Sequence, residues 1–310
     1  MKSYILAVFI LGWPSLMSFA SGAPSTSSRV GALRSYACYY GKGHEDELAR
    51  YDLVIVQPDH YDANAVKRIK RHQTKVLGYL SIGETDLAPP ELSKPASKPA
   101  SAVSTDTFRR IPPFYVNRKG DGRPDRNGGW GSYFVDAAAP AWRTRVLDQL
   151  LPNIIQQRGM DGVFLDTVDT AEVYPETAAG MVGLIGAIRA RHPRMPIFIN
   201  RGFNVLDKLL ATVDGIMFEC YTSEYDPTTR RSHVLARQDL EWTDQTLKKI
   251  VEQGRSTGLV VLLLDYVDSK SATVREQAVA RARKTGLLYS IANGVLDKLP
   301  VEGSGPARSR

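Results

Sequence analysis

The stretch that decides the fold is Gly159-Met-Asp-Gly-Val-Phe-Leu-Asp-Thr-Val-Asp169. Its apolar run, Val163-Phe164-Leu165, begins after Gly162 and ends on a carboxylate, Asp166, with a second, Asp169, three residues on. A short continuous apolar run fits a strand buried on both faces, as in a parallel sheet under helices. An acid at the exit of such a strand stands where α/β proteins gather their chemistry. The pattern recurs. Asp161-Gly-Val-Phe-Leu-Asp166 aligns residue by residue with Asp214-Gly-Ile-Met-Phe-Glu219, and Asp52-Leu-Val-Ile-Val-Gln57 keeps the frame and also ends polar. Side chains alternate along a strand with period two, so equal registers place Gln57, Asp166 and Glu219 equivalently.

Outward from this core the chain shows a regular alternation. Strands are expected at residues 35–40, 52–57, 75–82, 197–200, 215–219, 259–265 and 287–291, besides the central one. Helical patterns cover residues 62–72, with Asp62 as a cap, then 140–158, 174–191, 203–211, 239–257 and 271–284. Roughly eight strand–helix units argue for a single (β/α)8 TIM barrel of the α/β class. The unit count and the lack of a glycine-rich first turn disfavour a doubly wound open sheet. The third strand exits into Gly83-Glu84-Thr85-Asp86, and residues 87–106 then become a low-complexity Pro/Ser/Ala/Lys run, which cannot build a core. We read it as a long insertion after strand 3 within one domain, residues 24–300, followed by a disordered tail, 301–310.

At its start the chain has Lys2, an apolar run to Phe19 and small residues at Ser18, Ala20, Gly22 and Ala23, the layout of a secretory signal peptide over residues 1–23. No later stretch is long and apolar enough to cross a membrane, so a secreted or periplasmic protein is expected. Two cysteines, Cys38 and Cys220, fall on well-separated strands and are expected as free, buried thiols. A formal charge of +7 is a mild lean spread along helices and loops. It carries no nucleic-acid module, and the protein is expected to act as a monomer.

A barrel collects its active groups at the C-terminal ends of its strands. Those ends here carry Asp59, Glu84, Asp86, Asp166, Asp169, Asn200, Glu219 and Asp265. The matched register aims Asp166 and Glu219 into one mouth, from strands that flank a single strand between them. Two facing carboxyls suit glycoside hydrolysis, at about 5 Å for a retaining and about 8 Å for an inverting enzyme. Among the surrounding aromatics, Trp130 in its glycine setting, Tyr221 beside Glu219 and Tyr79 are candidates for holding sugar, whereas Trp142 and Trp242 are expected in the core.

The pieces Tyr79-Leu-Ser-Ile-Gly-Glu84, Phe164-Leu-Asp-Thr-Val-Asp169, Gly215-Ile-Met-Phe-Glu219 and Trp130…Tyr133-Phe-Val-Asp136 resemble glycoside hydrolase family 114. That family comprises secreted (β/α)8 enzymes described as endo-α-1,4-polygalactosaminidases. The resemblance implies Asp166 as nucleophile and Glu219 as acid/base, acting on a galactosamine-containing polysaccharide. Such a polymer is cationic where its amines are free, and an acidic cleft attracts it. Glu84, Asp86, Asp169, Glu172 and Glu224 are then candidates to pair with amines at successive subsites. The long Pro/Ser/Lys insertion departs from the family pattern and is expected to overhang the site. Two other classes fit less well. A barrel that only binds polysaccharide has no need of two facing acids. A metal-dependent hydrolase lacks its ligand spacing, since His44, His60, His72, His192 and His233 form no His-x-His or His-Glu-x-x-His pattern. With no Gly-x-Ser-x-Gly and no phosphate-cradling glycine loop either, we expect neither a metal nor a cofactor.

Overall fold

The computed structural model describes residues 29–87 and 112–303. The signal-peptide assignment, nearly all of the low-complexity insertion and the tail beyond residue 303 lie outside the described residues. Eight parallel strands follow one another in chain order around the sheet: β1 Tyr36–Tyr39, β2 Leu53–Val56, β3 Lys75–Ser81, β4 Gly162–Asp166, β5 Ile197–Asn200, β6 Gly215–Glu219, β7 Val260–Tyr266 and β8 Leu288–Ala292. Helices cross between them, so the chain is a (β/α)8 barrel. Its seam lies between β8 and β1. There the Tyr40 amide donates to the Leu296 carbonyl at 2.6 Å, and Tyr36 on β1 donates across the interior to the Leu263 carbonyl at 2.5 Å.

Period-two alternation splits the core in two. Ala37, Val54, Val76, Val163, Ile197, Ile216 and Leu263 face outward under the helices. Tyr36, Cys38, Leu53, Ile55, Leu77, Phe164, Phe198, Met217, Leu262 and Leu264 fill the barrel. The recurring Asp explains the shared frame from below. Asp161 Oδ2 accepts from the Val76 amide at 2.9 Å and Asp214 Oδ2 from the Ile197 amide at 2.8 Å, while Asp52 Oδ2 takes the Arg34 amide at 2.8 Å. Each strand's leading carboxylate thus ties the start of the strand before it, which fixes register at the floor. Glycine follows two of these acids because the barrel is narrow there. A Cβ on Gly215 would lie 2.2 Å from the Phe198 ring, and one on Gly162 would lie 2.2 Å from the Pro196 carbonyl oxygen. Gly215→Ala is expected to cost about 1–3 kcal/mol by overpacking, read as a lower thermal midpoint with the far-UV spectrum unchanged.

Several elements differ from the sequence reading for clear reasons. Residues 174–191 are not one helix: Pro175 opens a separate turn, Pro175–Thr177, before the helix Ala178–Arg191. Pro140–Arg145 runs on into two wide π turns, Val146–Leu150 and Asn153–Gln157, on either side of Pro152, which has no amide to donate. Asp62 does cap Ala63–Ile69, accepting from the Ala65 amide at 2.8 Å. The start of the expected tail is ordered, since Glu302–Gly303 pairs antiparallel with β8 and the Val301 amide donates to the Ile291 carbonyl at 2.9 Å. It covers part of an edge that the seam leaves open. Cys38 and Cys220 are both free, the first buried and the second half-buried. Trp142 is buried as expected, whereas Trp242 is 45% exposed. Among the described residues, no helix is long and apolar enough to cross a membrane.

Candidate active site

The inward register ends, strand by strand, on Gln57, Tyr79 and Ser81, Asp166, Asn200, Glu219 and Tyr266, and all of them line one cleft of about 550 Å³ at the C-terminal mouth. At its centre the two acids meet on a single nitrogen. Asn200 Nδ2 donates to Asp166 Oδ1 at 2.9 Å and to Glu219 Oε2 at 2.5 Å. The outer oxygen of each acid takes a tyrosine: Tyr79 donates to Asp166 Oδ2 at 2.7 Å and Tyr266 to Glu219 Oε1 at 2.6 Å. Two oxygens bonded to one nitrogen are no more than about 5 Å apart, so the two acids face each other at close range.

The backbone that presents these groups is held in an uncommon conformation. The residue after each of the three central groups is left-handed without being glycine: Thr167 (φ 61°), Arg201 (φ 52°) and Cys220 (φ 58°). Each such residue costs about 1–3 kcal/mol unless its surroundings impose it. Here they do. The Arg201 and Cys220 amides donate into the next strand, to the Met217 carbonyl at 3.0 Å and the Leu264 carbonyl at 2.8 Å. Thr167 Oγ1 accepts from the Gly83 amide at 2.8 Å. The chain therefore turns sharply off the barrel just after each active group and leaves that group at the rim.

Burial governs the ionisation of Glu219. Loss of water pushes the Glu219 carboxyl up from its ordinary range, and the nearby Asp166 charge adds to this, while the bonds from Tyr266 and Asn200 oppose it. At the rim, desolvation pushes half-buried Asp169 up to about 7, against the pull of Arg201, whose Nε lies 3.3 Å from its Oδ2. Asp86 and Trp130 also line the cleft, and Trp130 is 65% exposed on its edge. Glu84 lines it too, but its carboxylate is engaged in holding the returning insertion, accepting from Ser132 Oγ and from Asn127 Nδ2 at 3.1 Å. That insertion comes back as the strand Tyr133–Phe134, antiparallel to Glu84–Thr85.

Five sequence candidates do not reach the cleft. Asp59 leaves β2 on a tight turn and points outward, 80% exposed and paired with Arg158 Nη2 at 2.7 Å. Asp265 has the outward parity of β7, one residue off the inward register. It is buried, and its Oδ1 accepts from the Thr222 and Ser223 amides at 2.6 and 2.8 Å. Tyr221 follows the left-handed Cys220 and is carried behind the barrel wall, where it donates to Asp244 at 2.6 Å under Arg281. Glu172 and Glu224 are also elsewhere, bonded to the Phe203 amide and to His233. Conversely, Tyr40, His60, Ser81 and Tyr266 line the cleft without having been singled out as site residues. Extending the strand at residue 259 by one position, in the period-two register, points to Tyr266 directly. Two buried acceptors in the cleft, Gln57 Oε1 and Asn200 Oδ1, lack a partner among the described residues. A larger cavity of about 740 Å³ lies across Gly294 and Val295, but its acids, Asp268 and Glu276, come from a loop and a helix and not from facing strands. Among the described residues no group of three or more His, Cys, Asp or Glu is arranged to hold a metal ion.

A parallel barrel with two facing carboxyls at its C-terminal rim is an architecture that barrel glycoside hydrolases use. The chain belongs to glycoside-hydrolase family GH114, whose model matches residues 18–303, and its reaction is hydrolysis of O-glycosidic bonds. Among solved structures it is similar to the glycoside hydrolase domain of PelA from Pseudomonas aeruginosa, with a TM-score of 0.68 and 23% identity over 87% of this chain and 98% of that one. It is also similar to Aspergillus fumigatus Ega3 in complex with galactosamine, with a TM-score of 0.56 and 15% identity over 90% of this chain and 97% of that one. No curated protein matches the sequence.

Proposed function

We propose that this protein is a secreted or periplasmic endo-glycosidase that cuts a galactosamine-containing polysaccharide with retention, using Asp166 as nucleophile and Glu219 as acid/base. The observation that carries the proposal is the single amide nitrogen bonded to both carboxyl groups. In the first step Asp166 forms a bond to the anomeric carbon while Glu219 delivers its proton to the departing glycosidic oxygen, and the carbon–oxygen bond breaks. In the second, Glu219, now ionised, takes a proton from water, whose oxygen attacks the same carbon and releases Asp166. The environment of Glu219 favours its protonated form before the first step, which is what an acid needs. Tyr79 steadies the charge on Asp166 between turnovers.

The substrate class draws on three features. The cleft holds acids beyond the pair, Asp86 and Asp169, and an ammonium group arriving beside Asp169 favours its ionised form. Trp130 offers an exposed ring face at the edge, suited to stacking on a sugar. Galactosamine is the ligand named in the Ega3 complex. The test is digestion of a partially deacetylated α-1,4-galactosamine polymer, with the first reducing ends read by proton NMR. The α anomer as the initial product is the expected result. The β anomer first would replace retention by inversion, and absence of any oligosaccharide would sink the assignment.

A further inference from the structure

Asn200 stands between the two acids in an unusual state for a buried amide. Its nitrogen serves both carboxyl groups, while its Oδ1 is buried with no partner among the described residues. A buried carbonyl without a donor is costly, so something must hold the amide this way round. Turning it over would set its oxygen against two carboxyl oxygens, acceptor against acceptor. The two acids therefore fix the amide, and the amide fixes them. The cation on the same strand end, Arg201, is instead ion-paired with Asp169 and donates to the backbone carbonyl of Glu219. Asn200 is thus the one group among the described residues that hydrogen-bonds both carboxyls. Carboxyl groups in direct contact share a proton and ionise as one unit. Here a nitrogen separates them.

We infer that Asn200 is a positioning residue, a spacer whose NH2 group holds Asp166 and Glu219 apart with one hydrogen bond each, so that the proton of Glu219 is not shared with Asp166. The inference rests on the acid roles proposed above. Other titratable and charged groups also face this point: Tyr79 on β3, Asp169 after β4, Arg201 after β5, Tyr266 on β7, and Cys38 and Tyr40 on β1 and at its end. None of them donates to both acids. Removing the amide withdraws a donor that favours the ionised form of Glu219 and lets the two carboxyls meet, so the Glu219 carboxyl should titrate at higher pH than in the wild type.

The test compares wild type with Asn200→Ala and Asn200→Ser. The alanine variant is expected to lose about 10- to 100-fold in kcat with KM nearly unchanged, and the limb of its kcat/KM profile that reports Glu219 should move to higher pH. Serine has one hydroxyl hydrogen and cannot serve both acids at once, so that limb should return only part of the way toward its wild-type position. A raised KM with both limbs in place would make Asn200 a sugar contact only and overturn the spacer. A fall in kcat with unmoved limbs would leave it merely structural and overturn it equally. Carbon-13 NMR titration of the labelled Glu219 carboxyl in the free protein, assigned with Glu219→Gln, reads the same shift without any substrate. If that titration stays put in Asn200→Ala, the spacer falls even though the polymer is cut. If it moves while no polymer is cut by the wild type, the spacer stands and the acid roles fall.

Discussion

Asp166→Ala is expected to lower turnover by at least about 10³-fold and to recover part of it when azide is added. On the roles proposed above, the alanine leaves a gap below the anomeric carbon, bounded by the Tyr79 hydroxyl and the Asn200 amide that formerly held the carboxylate. A small anion fits such a gap and attacks from the face that Asp166 used, so the product is a glycosyl azide of the opposite anomer to the substrate. Glu219→Gln should lose about 10²- to 10⁴-fold and behave differently. Its defect lies in proton delivery, so a substrate with an activated leaving group relieves the first step, and azide gives the substrate's own anomer by replacing water in the second. An inverted azide product from the Glu219 variant would exchange the two roles. The same carboxyl has a second signature. Its raised value in the folded protein means that the fold binds its proton more tightly than the unfolded chain does. That contribution is fully present below the ordinary glutamate range and is lost as pH rises through the raised value. Glutamine has no charge to bury, so Glu219→Gln should be at least as stable as wild type at neutral pH and should lose less stability as pH rises, measured by denaturant unfolding.

How legible this site was in the sequence depended on parity. Where an apolar run ended on its inward residue, as in Phe164-Leu165-Asp166 and Met217-Phe218-Glu219, counting by twos put the acid in the mouth. The same count, stopped one residue early at Asp265, ends on the outward carboxylate, whereas the inward residue of that strand end is Tyr266, which is bonded to Glu219. Tyr221 misled for another reason. The left-handed Cys220 redirects the chain, and a cysteine carries no local signal for φ above zero as glycine does. Asp59 belongs to a turn too short to show a period, Pro58–His60. The hairpin Ser223–Asp226 with Arg231–Val234 was also passed over, although Asp226-Pro-Thr-Thr229 is a turn signal. Asp226 does accept there from the Thr228 amide at 2.7 Å and from Thr229 Oγ1 at 2.7 Å. The bridge through Asn200 is of a different kind. It joins three strand ends that only the closed barrel brings together, so no local pattern announces it.

Asp214→Ala is expected to destabilise the protein by about 3–5 kcal/mol while leaving the kcat of the folded fraction unchanged. Asp214 is fully buried at the end of the barrel away from the cleft, where its carboxylate meets Arg29 Nε at 2.5 Å and Arg189 Nη2 at 2.7 Å. It also accepts the Ile197 amide that sets β5 beside β6. Removing it leaves two arginines, 7% and 14% exposed, without their shared counter-charge. Water reaches neither well enough to replace the carboxylate. The loss is therefore larger than that of one surface pair, which contributes about 0–1 kcal/mol. Arg189 keeps its bonds to the Thr212 carbonyl at 2.8 Å and the Met195 carbonyl at 2.6 Å, so it remains in place, charged and desolvated. Desolvation already holds its guanidinium below the usual arginine range, with Asp214 as the main opposing pull. Asp214→Asn separates the contributions, because the amide oxygen can still take the Ile197 hydrogen bond while the charge is gone. If stability depends on charge pairing, the asparagine variant falls nearly as far as alanine, and adding Arg29→Leu to either recovers part of the loss. If the strand tie dominates, asparagine stays near wild type and Arg29→Leu adds to the damage. Chemical denaturation with kcat measured on the same samples distinguishes the two, and a kcat that falls in step with neither would mean that the floor of the barrel is coupled to its mouth.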